Sequence, residues 1–349
     1  MEAIHIVVAG AGGNTGSQAL PHLARSARVG RLTLVDPDVY EPSNLAVQNI
    51  DEADIGLPKV VAQAARLARI RSGLPITTMQ ARVEDVPRGL LRCDLFISCL
   101  DSRVARQHLS EIAWRLGIPW IDCGVLAGEN LARVTTWSPA PDAPCLECTW
   151  DAESYALLEK QYLCGAEPAV FPSGASSALG ALAASLVALE LARFLRDESL
   201  PSARQVIFDA ENRVVQTTHD RRNRDCRFDH TIWQIDPWFA PPSTTTAAQA
   251  LRELGSLSIA GHRFISELVC PGCGRHENAG LRLNRPLARC AACDRRMASS
   301  GFGAFDVLDS DLAAPFLQLN PGLTLEQIGI RAGDIVSSSR GHRQIVEAQ

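Results

Sequence analysis

Three groups of residues stand out by type and spacing. Gly10, Gly12, Gly13 and Gly16 follow a short apolar run, residues 4–9 (IHIVVA). Glycines between a strand and a helix let a phosphate lie against the free N–H groups at the helix N-terminus. Asp36 ends a second apolar run (RLTLV, residues 31–35) and is placed to bind ribose hydroxyls. Nicotinamide and flavin enzymes share these features. The sixth position of their glycine pattern is normally Gly or Ala, however, and here it is Thr15, which argues against a plain NAD-dependent dehydrogenase.

The second group is one residue. The chain has two lysines, Lys59 and Lys160, against 32 arginines. An arginine-biased genome explains the excess. A lysine kept in such a chain marks a place that needs a compact point charge rather than a planar fork.

The third group is the cysteines, 11 in all, of which six form the C-x-x-C pairs Cys145/Cys148, Cys270/Cys273 and Cys290/Cys293. The last two pairs are 16 residues apart, a zinc-ribbon spacing that predicts one four-cysteine Zn²⁺ site. Its simplest role is stability, because structural zinc couples to folding. Cys93, Cys99 and Cys123 flank apolar strands and read as small buried residues. With no basic n-region before the first apolar run, the paired cysteines point to the reducing cytoplasm.

The surrounding pattern must position these groups. Strands are expected at 4–9, 31–35, 75–81, 94–99 and 119–122, with helices from the glycine turn to about 27, at 58–71 and at 104–116. This alternation predicts an α/β fold with a doubly wound, mostly parallel Rossmann-like sheet. Residues 131–137 (LARVTTW) are expected as an antiparallel edge, and a helix at 176–195 and strands near 204–218 complete a first domain, residues 1–235. The longest apolar stretch, 178–189, reads as a buried helix rather than a membrane span. Composition changes at 237–248 (PWFAPPSTTTAA), which opens a second domain, 236–349, carrying the ribbon at 270–293. The formal net charge of −5 argues against a nucleic-acid surface.

Taken in order, VDPDVYEPSNLAVQNI, GLPK, SCLDSRVAR and APCLEC resemble the adenylating ubiquitin-activating enzymes and their bacterial relatives MoeB and ThiF, over about residues 4–235. The resemblance implies ATP and Mg²⁺ as well as zinc. Gly10, Gly12 and Gly13 would cradle phosphate, Asp36 bind ribose, and Asp38 and Asn44 shape the nucleotide loop. Lys59 suits a phosphate, and Asp101 is the expected Mg²⁺ ligand, since Mg²⁺ prefers one or two carboxylates plus phosphate oxygens. Arg106 is a catalytic candidate. For Asp38 and Arg106 a structural ion pair or cap is an equal alternative.

The chain departs from the family at Val47, where an arginine would face the phosphates. Arg103, Arg106 or a residue of a second subunit could supply that charge, or the nucleotide site is weakened. The resemblance also implies that Cys226 and His230 complete a Cys₃His zinc site with Cys145 and Cys148, and that Cys164, in the polar crossover, accepts an acyl group as a thioester.

The implied reaction is ATP-dependent adenylation of the exposed C-terminus of a ubiquitin-like protein, then thioester formation and transfer to a conjugating enzyme, by a homodimer. The alternatives are an activator of a sulfur-carrier protein and a non-catalytic subunit of a heterodimer. In the second domain TLEQIGIRAGDIV (324–336) resembles the late part of a β-grasp. Residues 244–254 would then be its main helix and the ribbon an insertion between its halves; an unrelated small zinc domain is the alternative.

Overall fold

The computed structural model of the chain describes residues 3–162, 175–197, 199–285 and 289–347. It divides into two compact units: among the described residues, 3–86, 92–158 and 175–232 belong to the first, and 233–347 to the second, which also takes the short segments 87–91 and 159–162.

The first unit runs β1 (Ile4–Ala9), α1 (Asn14–Arg25), β2 (Val29–Val35), α2 (Lys59–Ile70), β3 (Ile76–Met79), β4 (Leu95–Ser98), α3 (Arg103–Leu116), β5 (Trp120–Leu126) and β6 (Leu131–Trp137). It continues through α4 (Ala152–Tyr162), α5 (Ser177–Asp197), β7 (Arg204–Asp209) and β8 (Val214–His219). One eight-stranded sheet has the order β3-β2-β1-β4-β5-β6-β7-β8. The strands from β3 to β5 are parallel and the rest antiparallel.

Strands β1 and β4 end in four buried residues each, as expected where both faces of a parallel sheet are covered. The chain builds outward from β1 in one direction and from β4 in the other. Right-handed crossovers therefore put the two sets of helices on opposite faces and leave a crevice at the carboxyl ends of β1 and β4. Expectation and structure differ at β6. It is antiparallel as expected but lies inside the sheet, because β7 pairs along it; the exposed edge is β8. Helix α4 carries no clear signal in the sequence and is an addition to the expected elements.

Helix α5 is long and apolar enough to cross a membrane, but its buried residues, among them Leu179, Ala183, Val187, Leu191 and Phe194, lie along one side. A stripe at three- and four-residue spacing is the signature of a helix packed on one side, here against β5, β6 and α1. Gly180 lets α1 come close, since a Cβ there would lie 2.0 Å from Asn14 Oδ1. Asn14 in turn donates to the carbonyls of Ala175 and Ser176.

The second unit contains β9 (Ile235–Phe239), α6 (Ala247–Leu254), β10 (Ser256–Ile259), β11 (Phe264–Val269), β12 (His276–Leu283), β13 (Ala298–Ser299), β14 (Ala304–Phe305) and β15 (Leu308–Asp309). Helices α7 (Ser310–Leu319) and α8 (Leu325–Ile328) and strands β16 (Ile335–Ser338) and β17 (Gly341–Val346) follow. A mixed sheet has the order β15-β10-β16-β17-β9, and β11 to β14 form a separate sheet inserted between β10 and β15. The expected helix is present as α6, capped by Thr246 with Gln249 in a reciprocal capping box; Thr324 and Gln327 repeat that box at α8. The N-terminal side of the sheet is the single strand β9, parallel to β17, where a β-grasp opens with a hairpin.

A buried pair ties the insertion to this sheet. Arg285, just after β12, holds Asp334, just before β16, through two bonds of 2.6 and 2.8 Å. Losing one partner of such a pair costs about 3–5 kcal/mol. Nearby, burial first and then the charge of Arg285 push the His262 imidazole down to about 4 from its ordinary 6.5. Between those values the unfolded chain binds a proton that the folded chain refuses. Stability from this group is therefore intact above about 6.5 and is lost as pH falls through about 4. His262→Gln is expected to flatten the acid limb of stability against pH, measured by denaturant unfolding. An unchanged slope would remove His262 as its source.

Candidate functional site

The glycine turn is fixed by what would collide with it. Gly10 has φ +75°, and a Cβ on it would lie 2.5 Å from the carbonyl oxygen of Cys99. A Cβ on Gly16 would lie 2.1 Å from the Gly10 oxygen, and one on Gly12 would lie 2.3 Å from Lys59 Cβ. Such contacts with backbone or a packed side-chain stem exclude any side chain. Gly13 is different: its nearest contact would be an ordinary 3.6 Å, so the fold leaves that position open at the start of α1.

Asp36 is buried at the end of β2 and accepts from the N–H groups of Gly12 (2.8 Å) and Asp38 (3.1 Å). Burial pushes its carboxyl up, while Lys59 and these two N–H groups pull it back. It thus braces the turn as well as standing where ribose is expected. Lys59 is the first residue of α2 and only 7% exposed. Its stem packs under Gly12, and its ammonium donates to Asp38 Oδ2 at 3.0 Å. The Asp38 carboxylate is largely exposed, so the covered ammonium is tethered to a partner that faces solvent.

Asp101 is exposed in the loop between β4 and α3. Contact of Cys99 with Gly10 brings that loop against the glycine turn. Arg106 does not face outward. Its Nη2 donates to the carbonyls of Leu100 (2.5 Å) and Cys123 (3.1 Å), and its Nε lies 3.4 Å from buried Asp122. Gly124 leaves room for it, because a Cβ there would lie 2.7 Å from Nη2. The guanidinium therefore clamps the Asp101 loop to β5. Asn44 is half-buried and closes its own turn, its Oδ1 accepting from the Glu41 N–H at 2.9 Å.

Tyr40 is a residue of the turn that spacing and residue type do not reveal. It is 1% exposed, donates to the Gly12 carbonyl at 3.0 Å and accepts from Gln63 at 2.8 Å. Its only signal in the sequence is a tyrosine within the DPDVYEPSN segment, since a buried tyrosine hydroxyl needs partners.

The cysteines converge as two clusters, Cys145/Cys148/Cys226/His230 and Cys270/Cys273/Cys290/Cys293, with the ligand atoms of each within 4.8 Å of one another. A tetrahedral zinc with Zn–S of about 2.3 Å puts its sulfurs about 3.8 Å apart. In the first cluster Cys145 Sγ lies 3.9 Å from Cys148 Sγ and 3.7 Å from Cys226 Sγ, and His230 Nε2 is 3.3 Å from Cys148 Sγ. Trp114 and Phe228 meet the His230 ring edge-on.

In the second cluster both C-x-x-C turns close alike. The residues after the second cysteines, Gly274 (φ +70°) and Asp294 (φ +57°), are left-handed and donate to the carbonyls of Cys270 and Cys290. The N–H of Cys273, the strongest influence, and that of Gly272 help push the Cys270 thiol down to about 6, toward the thiolate that binds metal. Both donor sets could bind zinc. Cys93 and Cys99 are half-buried and Cys123 fully buried. Cys164 lies outside the described residues.

Known proteins are similar to this chain in sequence and in fold. The chain is 28% identical over 225 residues to the SAMP-activating enzyme E1 of Haloferax volcanii, covering 63% of this chain and 78% of that protein. It is 29% identical to the molybdopterin-synthase adenylyltransferase of Salmonella typhimurium, covering 63% and 85%. Among solved structures, E. coli MccB with ATP superposes with TM-score 0.51 at 20% identity, over 64% of this chain and 65% of that one, and supports the fold. Residues 1–228 match the ThiF family. With a buried lysine beneath its glycine turn and a matching sequence over most of its length, the chain belongs to the ThiF family.

Proposed function

We propose that this chain is an ATP-dependent adenylyltransferase that activates the C-terminal carboxylate of a ubiquitin-like or sulfur-carrier protein. The observation that carries the reading is Lys59, buried under Gly12 with its ammonium held at the crevice by Asp38. The activities named for the two enzyme relatives support it.

A carboxylate oxygen attacks the α-phosphorus; the new P–O bond forms as the bond to pyrophosphate breaks, leaving an acyl-adenylate. The N–H groups at the start of α1 and the Lys59 ammonium stabilise the charge that moves onto the phosphates. Asp36 orients the ribose. Asp101 is the residue to hold Mg²⁺, which when bound neutralises phosphate charge. Arg106 keeps the Asp101 loop in place.

In the finer part of the proposal, the Cys164 thiolate displaces AMP from the acyl-adenylate, and the thioester passes to a conjugating enzyme. The second unit serves that handover, and the protein acts as a cytoplasmic homodimer. The test is ATP–pyrophosphate exchange with candidate carriers encoded beside this gene. Exchange without a thioester on Cys164 would favour the sulfur-carrier reading; no exchange with any neighbouring carrier would leave the proposal without its central reaction.

A further inference from the structure

The proposed reaction needs positive charge opposite the phosphates, and the crevice is short of it. Among the described residues placed at the glycine turn, Asp36, Asp38 and Asp101 stand against Lys59, whose ammonium already pairs with Asp38. Arg106 is occupied by Asp122 and by two carbonyls. Arg133 is held by the same Asp122 at 3.2 Å. Val47, half-buried at the end of the SNLA turn, carries no charge. Of the sources that the sequence leaves open (Arg103, Arg106 and a second subunit), these contacts withdraw Arg106.

Arg103 is unlike these. It is the first residue of α3, two positions after Asp101, and exposed. Among the described residues its guanidinium makes no hydrogen bond or close ion pair; its charge acts, after the Ser154 N–H, on the exposed Asp151 carboxylate. It rests over the Trp150 ring, 5.8 Å from the centroid. Trp150 follows the Cys145/Cys148 turn, whose cluster fits a metal, so the ring is a platform on an anchored loop. A cation over an aromatic face at an exposed site is held weakly, whereas a guanidinium binds phosphate through two parallel charge-assisted bonds.

We infer that Arg103, resting on Trp150 beside Asp101, is the arginine that binds the phosphates of ATP in this crevice. This rests on the adenylyltransferase reading. In the free protein the side chain lies on the indole; in the complex it trades that contact for phosphate oxygens.

The test uses the full chain and calorimetric binding of MgATP and of adenosine. Arg103→Ala should weaken MgATP about tenfold or more, equivalent to about 1.4 kcal/mol, and leave adenosine binding within about twofold, with zinc content and melting temperature unchanged. Arg103→Lys should recover part of the loss, because it restores the charge without the fork. If Arg103→Ala binds MgATP as tightly as the unsubstituted protein, or loses adenosine equally, the assignment is overturned while the function stands. Should the unsubstituted protein bind MgATP no better than adenosine, the ATP reading fails, and this inference with it.

Discussion

Replacing Lys59 by alanine is expected to lower pyrophosphate exchange by about 10²–10³-fold, the cost of removing one preorganised group that stabilises developing charge. Carrier binding should change far less, because the ammonium points to the glycine turn and Asp38. The fold should survive: the freed Asp38 carboxylate is mostly exposed, so solvent takes over the lost partner. Lys59→Arg should not restore the rate. The stem runs beneath Gly12, where even one added methyl would collide, and a planar guanidinium cannot follow the path of a compact ammonium. Asp101→Ala should remove the Mg²⁺ dependence in parallel. Exchange that proceeds unchanged in Lys59→Ala would show that the nucleotide site has been misplaced.

Removing one ligand from the first cysteine cluster should have the next largest effect. Purified protein is expected to contain two zinc ions per chain, one for each donor set. Cys226→Ser should lose one of them and keep the other. Structural zinc in small domains contributes about 10–16 kcal/mol of apparent binding energy to folding. Only part of that is at stake here, because the first cluster also packs against Trp114 and Phe228. A loss of ~4 kcal/mol would lower the melting temperature by about 10 °C in a unit of this size. A protein with one zinc ion that persists in Cys226→Ser would reduce the metal sites to the ribbon and make Cys226 and His230 local packing residues.

Much of the first unit is legible in the amino-acid sequence, because its signals are local. Strand, glycine turn and helix follow one another within residues 4–25. A C-x-x-C turn is likewise complete within a few residues, so spacing alone assigns both ribbon pairs. His230 is a partial exception: its distance of 82 positions from Cys148 is bridged only by the fold, and family resemblance is what points to it.

Where a charged side chain points is decided by the tertiary structure. By residue type Arg106 suits a phosphate and a carboxylate equally. The parallel register that sets Ser98 beside Asp122 brings a buried carboxylate within its reach, and an unpaired charge there would be costly. Tyr40 becomes part of the glycine turn because Gly12, 28 positions away, offers the acceptor that a buried hydroxyl needs. The same holds for β6, which reads as an edge until β7 pairs along it, and for β9, whose partner β17 lies about a hundred residues further along the chain. Periodicity and spacing report which face of a segment is apolar and how tightly it can turn; they are properties of neighbours in sequence. The partner of a buried charge, hydroxyl or strand edge is a property of neighbours in space, and only the folded chain supplies it.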